Sequence, residues 1–309
     1  MRDVGFVLGS HGMSYASRAV QSLLRNCMDS IRVRLITDAA EDKRKLQEMV
    51  DTLDHHGHEV HVHAQTEADE IAEERFAKWP VLRRFRMGHP CWRKITDPPL
   101  FVEPGQEVII LDPDVYFPNR FRFDEAPKRG VRIMWQRPNC LLPAESVAAA
   151  FRAPARLADH MDIGSAHLRQ DLDWDYLDWF IERLGGRGLP WKPHIEAICW
   201  AAIAMRMGGG YLPPEHWYCW DHSHPKRWML KAGIPPLKLL SRVPLHKVKM
   251  FHAGGIAKDW LVEAEAQGIF DTGQVIEHTL PSPPFEEFTE MRFKMLQALK
   301  DTARVVGYT

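Results

Sequence analysis

The chain has 309 residues, of which 40 are Lys or Arg and 41 are Asp or Glu. This length allows one large domain or two ordinary ones, and the balanced charge gives no general attraction to nucleic acid. Five widely spaced cysteines without a CxxC pair indicate neither a disulfide framework nor a cysteine zinc site, and they favour a reducing cytosol. The N-terminus has no long apolar signal segment and no window of about 18 residues is apolar, so we expect a soluble, cytoplasmic protein.

The first part of the chain alternates strand and helix patterns. A predicted strand, Val4 to Leu8, is followed by the turn Gly9-Ser10-His11-Gly12 and a helix. A strand at residues 31–38, a helix from about Glu41 to Leu53 and a strand from Glu59 to His63 continue the pattern. Right-handed crossovers between such strands predict an α/β fold with a mostly parallel sheet flanked by helices. The chain has no GxGxxG and no Walker lysine motif, which argues against a plain dinucleotide fold and a P-loop.

An apolar run in the middle of the chain ends in two carboxylates. Four aliphatic residues, 108–111, are typical of a strand buried on both faces. Asp112 and Asp114 follow, and the alternation of side chains puts both on one side, where they can reach one cation. Carboxylates at the carboxyl ends of strands lie where open sheets bind ligands. A turn cap with a solvated second carboxylate is the alternative interpretation of this short motif.

Several further residues leave two interpretations open. Lys94 either pairs with surface acids or faces the strand ends and holds a phosphate. Glu196 is the exception in a predicted helix, Ile195 to Met207, that is apolar nearly all round and therefore buried; a carboxylate in a first turn is also favoured by the helix dipole. Tryptophans between Trp174 and Trp228 either stack on a sugar or pack in the core. The histidines of residues 55–63 form either a metal site or a solvated edge.

Two segments near the C-terminus are also informative. Residues 226–249 carry many cations and no acid, which fits a solvated loop, a lid over an anionic ligand or a patch that contacts anionic lipid. The final helix is predicted from about Phe285 to Val305. We expect it to pack on the body through the apolar residues of one face: Phe288, Met291, Met295, Leu296 and Leu299.

With the Asp112-Pro113-Asp114 stretch and the segment that begins at His252, the chain resembles the GT-A glycosyltransferases. More narrowly it resembles the family-eight retaining enzymes, which include glycogenin and bacterial lipopolysaccharide galactosyltransferases. Members carry an aliphatic strand followed by DxD and, much later, an HxxGxxKPW segment. His252, Gly255, Lys258 and Trp260 keep the second spacing, and Asp259 replaces the proline. The similarity covers about residues 4 to 262.

Other positions fit the same resemblance less sharply. Ser14-Tyr15 resembles an Asn-Tyr pair that contacts the nucleotide base, and Ile36-Thr37-Asp38 resembles the family's LTD. Lys94 falls where members have Arg or Lys before the DxD strand. Asp162-Ile163-Gly164 resembles an Asn-x-Gly that lines the donor sugar. Glu196-Ala197 occupies the place of an Asp-Gln or Glu-Gln pair, so the glutamine is missing here.

The resemblance implies a GT-A domain over residues 1–262, with a nucleotide-binding part at 1–118 and a donor-sugar and acceptor part at 119–262, followed by a C-terminal helical extension at 263–309. It implies metal-dependent transfer of a hexose from a UDP-sugar to a glycan or glycolipid, with retention. Peripheral contact with the inner face of an anionic membrane through residues 226–249 is part of the same hypothesis.

The resemblance also implies a set of site residues. Asp112, Asp114 and His252 would bind the metal, and one imidazole among oxygen ligands suits Mn²⁺ better than Mg²⁺. Asp162, Glu196 and Lys258 are the catalytic candidates: the two carboxylates would act near the transferred sugar, and Lys258 would bring positive charge to the diphosphate. The residues expected to hold the nucleotide diphosphate and base are Ser10, His11, Tyr15, Thr37, Lys94, Asp112, Gly254, Gly255 and Lys258.

Two alternatives remain at the level of sequence. The missing glutamine and Asp259 are compatible with a GT-A protein that binds a sugar nucleotide or glycan without turnover. Residues 111–115 also fit the first motif of haloacid-dehalogenase-type phosphatases, in which the leading Asp is the nucleophile. That motif normally opens its domain, whereas about a hundred residues precede it here, and the later Asp-Asp pair of those enzymes is absent from the sequence.

Overall fold

The computed structural model describes the backbone of residues 1–220 and 224–305 and the side chains of residues 1–220 and 226–302; the last residues of the predicted extension, 306–309, lie outside this range. The α-helices of the described residues are α1 (Met13–Asn26), α2 (Lys43–Asp51), α3 (Gln65–Arg75), α4 (Pro80–Arg86), α5 (Arg93–Leu100), α6 (Ala144–Arg152), α7 (Trp174–Leu184), α8 (Ile195–Met207), α9 (His224–Lys231), α10 (Pro236–Leu240), α11 (Leu261–Ala266) and α12 (Glu290–Val305). The strands are β1 (Arg2–Leu8), β2 (Ile31–Thr37), β3 (Glu59–His63), β4 (Glu107–Leu111), β5 (Val115–Tyr116), β6 (Arg120–Phe121), β7 (Val131–Trp135), β8 (Leu157–Ala158), β9 (Met161–Arg169), β10 (Gly209–Tyr211), β11 (Trp217–Cys219), β12 (Met250–His252), β13 (Val275–Ile276) and β14 (Glu287–Phe288).

The central sheet has seven strands in the order β10-β7-β9-β4-β1-β2-β3. Neighbouring strands are parallel except that β9 runs antiparallel to both β4 and β7. The predicted α/β fold with a mostly parallel sheet is therefore confirmed. The reversal at β9 brings the Asp162 region back beside the end of β4.

Strand β4 has apolar partners on both faces, as its sequence predicts. Val108 and Ile110 belong to the core on one side of the sheet, with residues of α3 to α8. Ile109 and Leu111 belong to the core on the other side, with residues of α1 and α2. Because side chains alternate along a strand, Asp112 follows β4 on the same face of the sheet as Val108 and Ile110, the face that α5 covers.

A second sheet, in the order β11-β12-β5, places the late His252 segment beside the DxD stretch. Strand β12 pairs antiparallel with β5, so that His252 lies opposite Val115. It also pairs in parallel with β11, so that His252 lies opposite Cys219. Three segments that are far apart in the sequence thus meet at the end of β4.

Helix α5 contains two prolines, Pro98 and Pro99. Both prolines fall in the last turn of a short helix, so few helical hydrogen bonds are lost. The absence of a side chain at Gly5 leaves room for the Pro98 ring, since a Cβ there would lie 2.6 Å from Pro98 Cβ. The helix carries Lys94 toward the end of β4.

The C-terminal segment corrects two expectations. The last helix begins at Glu290, and Phe288 lies in β14, which pairs with β8. Strand β13 also pairs with β6, so the extension is not purely helical. The expected packing face of α12 is wrong: Met291, Met295, Leu296 and Leu299 are all exposed. The helix is held instead by its first turn and by the strand before it.

One lysine of the basic segment is not on the surface. Lys249 is completely buried, and its Nζ lies 2.7 Å from Asp124 Oδ1, also fully buried. The exposed cations of the segment are Arg227, Lys231, Lys238, Arg242 and Lys247. Among the described residues, no helix is both long and apolar enough to cross a membrane.

Candidate functional site

Three predicted metal ligands converge at the end of β4. The Ala253 amide donates to the Asp114 carbonyl over 2.9 Å, which fixes the segment after β12 against the DxD stretch. His252 Nε2 lies 3.3 Å from Asp114 Oδ1 and 3.8 Å from Asp112 Oδ2. One ligand atom from each residue lies within 4.8 Å of the other two. The structure therefore brings together two carboxylates and one imidazole that are up to 140 positions apart in the sequence.

The other ring nitrogen of His252 faces a third carboxylate, that of Asp162. Nδ1 lies 2.8 Å from Asp162 Oδ2, and Asp162 is almost completely buried. The ring can approach β9 because Gly164 has no side chain: a Cβ there would lie 2.5 Å from Cγ and Nδ1 of the imidazole. Asp162, predicted to act near the sugar, is thus placed to orient the histidine, in the way that carboxylates orient metal-binding imidazoles.

Lys94 lies between two buried carboxylates. Its ammonium group donates to Asp112 Oδ1 and lies 2.9 Å from Glu196 Oε2. Glu196, in the first turn of α8, accepts a 3.2 Å hydrogen bond from the Trp200 indole on its other oxygen. Lys94 therefore faces the strand ends, where its partners are two carboxylates, and its contact with a phosphate stays a prediction.

Burial and charge shift the pKa values of these groups in opposite directions. Burial raises the pKa of Glu196 to about 8, because the charge of Lys94 lowers this pKa by less than burial raises it. Burial alone would lower the pKa of Lys94, but Asp112 and Glu196 raise it well above its ordinary value. In the same way, Asp162 and Asp114 raise the pKa of His252 against the effect of burial. The site concentrates negative charge, with Lys94 as its buried ammonium group.

Tyr15 and Lys258 are partly exposed and lie near Asp114. Lys258 Nζ lies 5.4 Å from the centre of the Tyr15 ring, close enough for a cation–π contact. Burial raises the pKa of the half-buried Tyr15 hydroxyl, and the charges of Asp114 and Asp112 raise it further. Gly255 adopts a φ of +66°, which favours glycine at this turn before Lys258.

The remaining predicted nucleotide residues divide into two groups. Thr37 is completely buried, and its hydroxyl accepts a 2.9 Å hydrogen bond from the backbone amide of Gln65. Both facts count against a direct contact of the Thr37 side chain with a nucleotide. Ser10 and His11 lie in a short 3₁₀ turn at the rim, where the Ser10 amide donates to Asp42 Oδ2 over 2.7 Å. His11 is exposed. These two residues remain available for a ligand, whereas Thr37 has a structural partner.

The structure also separates alternatives that the sequence left open. Trp200, Trp217 and Trp220 are buried in the core, whereas Trp191 is 67% exposed and its ring lies tilted against His89, with the ring centres 4.4 Å apart. The possible metal clusters among the described residues both contain His252, and none includes a histidine of residues 55–63.

Sequence reasoning missed Cys219. Its Sγ lies 3.7 Å from His252 Nδ1 and donates to Gln136 Oε1 over 3.4 Å. Nothing in the sequence around Cys219 marks it, because its place beside His252 results from the β11–β12 register.

No protein-family model matches the chain, and no curated protein matches it. Solved structures do match. Mouse xyloside xylosyltransferase 1 in its apo form superposes with a TM-score of 0.52 at 11% identity, over 82% of this chain and 99% of that one. An active-site mutant of LgtC gives a TM-score of 0.50 at 11% identity, over 86% and 95% of the two chains. LgtC with donor and acceptor sugar analogues, described as a galactosyltransferase, gives 0.49 at 13% identity, over 86% and 92%.

At these identities the likeness shows the fold. Together with the strand order, the first two matches establish that the chain has the GT-A fold of glycosyltransferases, as the DxD and His252 segments predict. The fold gives no support to the haloacid-dehalogenase-type alternative.

Proposed function

We propose that the protein is a divalent-metal-dependent glycosyltransferase that uses a nucleotide-sugar donor, with a UDP-sugar as the expected class. The observation that carries the proposal is the convergence of Asp112, Asp114 and His252 at the end of β4 in a GT-A fold. Lys94 and Lys258 add positive charge on two sides of this group. Retention at the anomeric carbon rests on the family resemblance alone.

The residues present fit a divalent cation. Asp114 Oδ1 is buried and forms no hydrogen bond within the described part of the chain, although it lies 3.3 Å from His252 Nε2. An unpaired buried carboxylate oxygen is costly, and a cation would satisfy it. Two carboxylates and one imidazole suit Mn²⁺. When bound, the ion would act as a Lewis acid that stabilises the negative charge of the departing nucleotide diphosphate.

The chain's own residues have separate tasks in this proposal. Asp162 holds His252 Nδ1 and so directs Nε2 toward Asp112 and Asp114. Lys258, with its ammonium group over the Tyr15 ring, contacts the diphosphate of the donor. Tyr15 contacts the nucleotide base. Lys94 holds Asp112 in place and keeps the charge of the buried carboxylates balanced.

For the acceptor we propose a glycan or glycolipid that contacts Trp191. This indole is exposed, and the adjoining Lys192 carbonyl accepts from Trp92 over 2.9 Å, which fixes the loop that leads to Glu196. Exposed aromatic rings on fixed loops offer flat apolar surface with few degrees of freedom to lose.

A panel of nucleotide sugars incubated with Mn²⁺, with and without glycan acceptors, tests the proposal. We expect slow donor hydrolysis alone and faster turnover with the right acceptor, both lost in Asp112→Asn. Trp191→Ala should raise the acceptor KM and leave donor hydrolysis unchanged, with Trp179→Ala as the control on another exposed indole. Tight donor binding without hydrolysis or transfer would favour the non-catalytic binding protein.

We also propose peripheral contact with an anionic membrane through residues 226–249. The five exposed cations of this segment accompany the exposed Trp228, a combination that suits an anionic lipid surface. Sedimentation with phosphatidylglycerol vesicles tests it: binding should fall at high salt and be absent with phosphatidylcholine. Equal binding to both lipids would contradict it.

A further inference from the structure

His252 has a different set of neighbours at each ring nitrogen. Nε2 faces Asp112 and Asp114, whereas Nδ1 faces Asp162 Oδ2 at 2.8 Å and Cys219 Sγ at 3.7 Å. Asp162, Cys219 and His252 are all buried, and one ligand atom from each lies within 4.8 Å of the other two. The site therefore contains a second group of metal-ligating atoms that shares only the imidazole with the first.

The spacing of this second group suits a small tetrahedral ion. A tetrahedral Zn²⁺ bound to sulfur, nitrogen and oxygen separates its ligand atoms by roughly 3.3 to 3.6 Å. The 3.7 Å distance from Cys219 Sγ to His252 Nδ1 is close to this range. The 2.8 Å distance from Asp162 Oδ2 to His252 Nδ1 would have to lengthen by about half an ångström. Gln136 Oε1, 3.4 Å from the sulfur, lies next to the group and can orient the thiol or a bound water.

The two groups differ in the metal they prefer. Asp112 and Asp114 offer hard oxygens, whereas Cys219 offers a soft sulfur. Thiolate and imidazole ligands favour Zn²⁺ strongly over Mn²⁺. The position of Cys219 is fixed by main-chain pairing, since it lies opposite His252 in the β11–β12 register. The thiol therefore remains beside the imidazole whatever occupies the other side.

We propose that Asp162, Cys219 and His252 form a Zn²⁺ site, and that its occupation excludes a divalent cation from Asp112 and Asp114. Zn²⁺ takes the place of the thiol proton, which leaves to solvent, and binds Nδ1 of the neutral imidazole, whose one proton moves from Nδ1 to Nε2. The ring proton is then on Nε2, which has no lone pair to offer a metal. The Zn²⁺ site stands independently of the proposed function, whereas the exclusion rests on it. Zinc would act as an inhibitor that competes through one shared side chain.

Cobalt provides the test of the site itself, because a thiolate bound to Co²⁺ gives a near-ultraviolet charge-transfer band. Titration of the metal-free full chain should produce this band at one equivalent, and Zn²⁺ should abolish it. Cys219→Ser and Cys219→Ala should lose the band and bind Zn²⁺ at least 100-fold more weakly, while Cys140→Ser, at the other cysteine near Asp162, should keep it. A band that survives in both Cys219 variants, or no band in the wild type, would overturn the proposal.

A calorimetric titration with UDP tests the exclusion. Saturating Zn²⁺ should abolish Mn²⁺-dependent UDP binding in the wild type but not in a folded Cys219→Ser variant. Undiminished UDP binding by the zinc-loaded wild type would overturn the exclusion. Absence of Mn²⁺-dependent UDP binding in every variant would instead count against the proposed function, and the cobalt band would still report on the Zn²⁺ site.

Discussion

Lys94 balances the charges at the centre of the site. Its ammonium group is buried between Asp112 and Glu196, so it is the cation that offsets the burial of both carboxylates. The sequence left Lys94 with two interpretations, since nothing local shows that a helix with two prolines in its last turn directs its second side chain toward the strand ends. Asp112, Asp114 and His252 could be predicted because the two motifs keep their spacing. Cys219 and the orienting role of Asp162 could not, because each depends on strand pairing.

Removing the ammonium group should destabilise the protein strongly. In Lys94→Met, Asp112 and Glu196 remain buried without a cation, and breaking a buried ion pair from one side typically costs about 3–5 kcal/mol. We expect a loss of this size in the free energy of unfolding by urea. Lys43→Met, which removes an exposed pair with Glu67, should cost less than about 1 kcal/mol. Adding Glu196→Gln to Lys94→Met should restore part of the loss; fully additive losses would contradict the account.

The C-terminal segment is held to the body by specific contacts and not by an apolar helix face. Arg292 Nη1 lies 2.5 Å from Asp159 Oδ2, and Asp159 is completely buried. Strand β14 pairs with β8 just before this contact. The existence of a final helix could be predicted from its periodicity, but not its start, because a two-residue strand has no period to detect. The predicted packing face failed because periodicity marks which residues share a face and not what covers it.

Two arginines in this region make a matched pair of tests. Arg292→Ala leaves the buried Asp159 without its guanidinium partner, and we expect a loss of about 1–3 kcal/mol in the free energy of unfolding. Arg156→Ala removes an exposed pair with Glu287 and should cost less than about 1 kcal/mol. Thermal unfolding of both variants measures the difference. Equal losses would show that the Asp159 contact does not hold the C-terminal segment.

At the scale of the whole molecule, the α/β class and the parallel order of β1, β2 and β3 followed from alternating strand and helix patterns. The antiparallel β9 did not, since its residues 161–169 lack a clear alternation and are defined by pairing on both sides.

The same sheet buries His167, whose ring packs edge-on against Trp217 at 4.8 Å. Both of its ring nitrogens are buried, and neither has a hydrogen-bond partner among the described residues.

This histidine should make stability depend on pH. Burial lowers the pKa of His167 to about 3, so between pH 6.5 and 3 the unfolded chain binds a proton that the folded chain does not. The free energy of unfolding then falls with decreasing pH, by up to about 1.4 kcal/mol per pH unit. His167→Leu should remove this contribution, so that the wild type loses about 2 kcal/mol more than the variant between pH 7 and pH 5. Identical pH dependence of the wild type and His167→Leu would contradict this prediction. His246→Leu, at an exposed histidine, is the control.

In the proposed function, Asp112, Asp114 and His252 hold a cation through which a nucleotide diphosphate binds. Calorimetric titration of UDP into the wild type and Asp114→Asn, each with Mn²⁺ and with a chelator, tests it most directly. We expect binding by the wild type that requires Mn²⁺ and weakens by more than about 10-fold in Asp114→Asn. UDP binding of equal strength with chelator, or an unchanged affinity in Asp114→Asn, would contradict the claim.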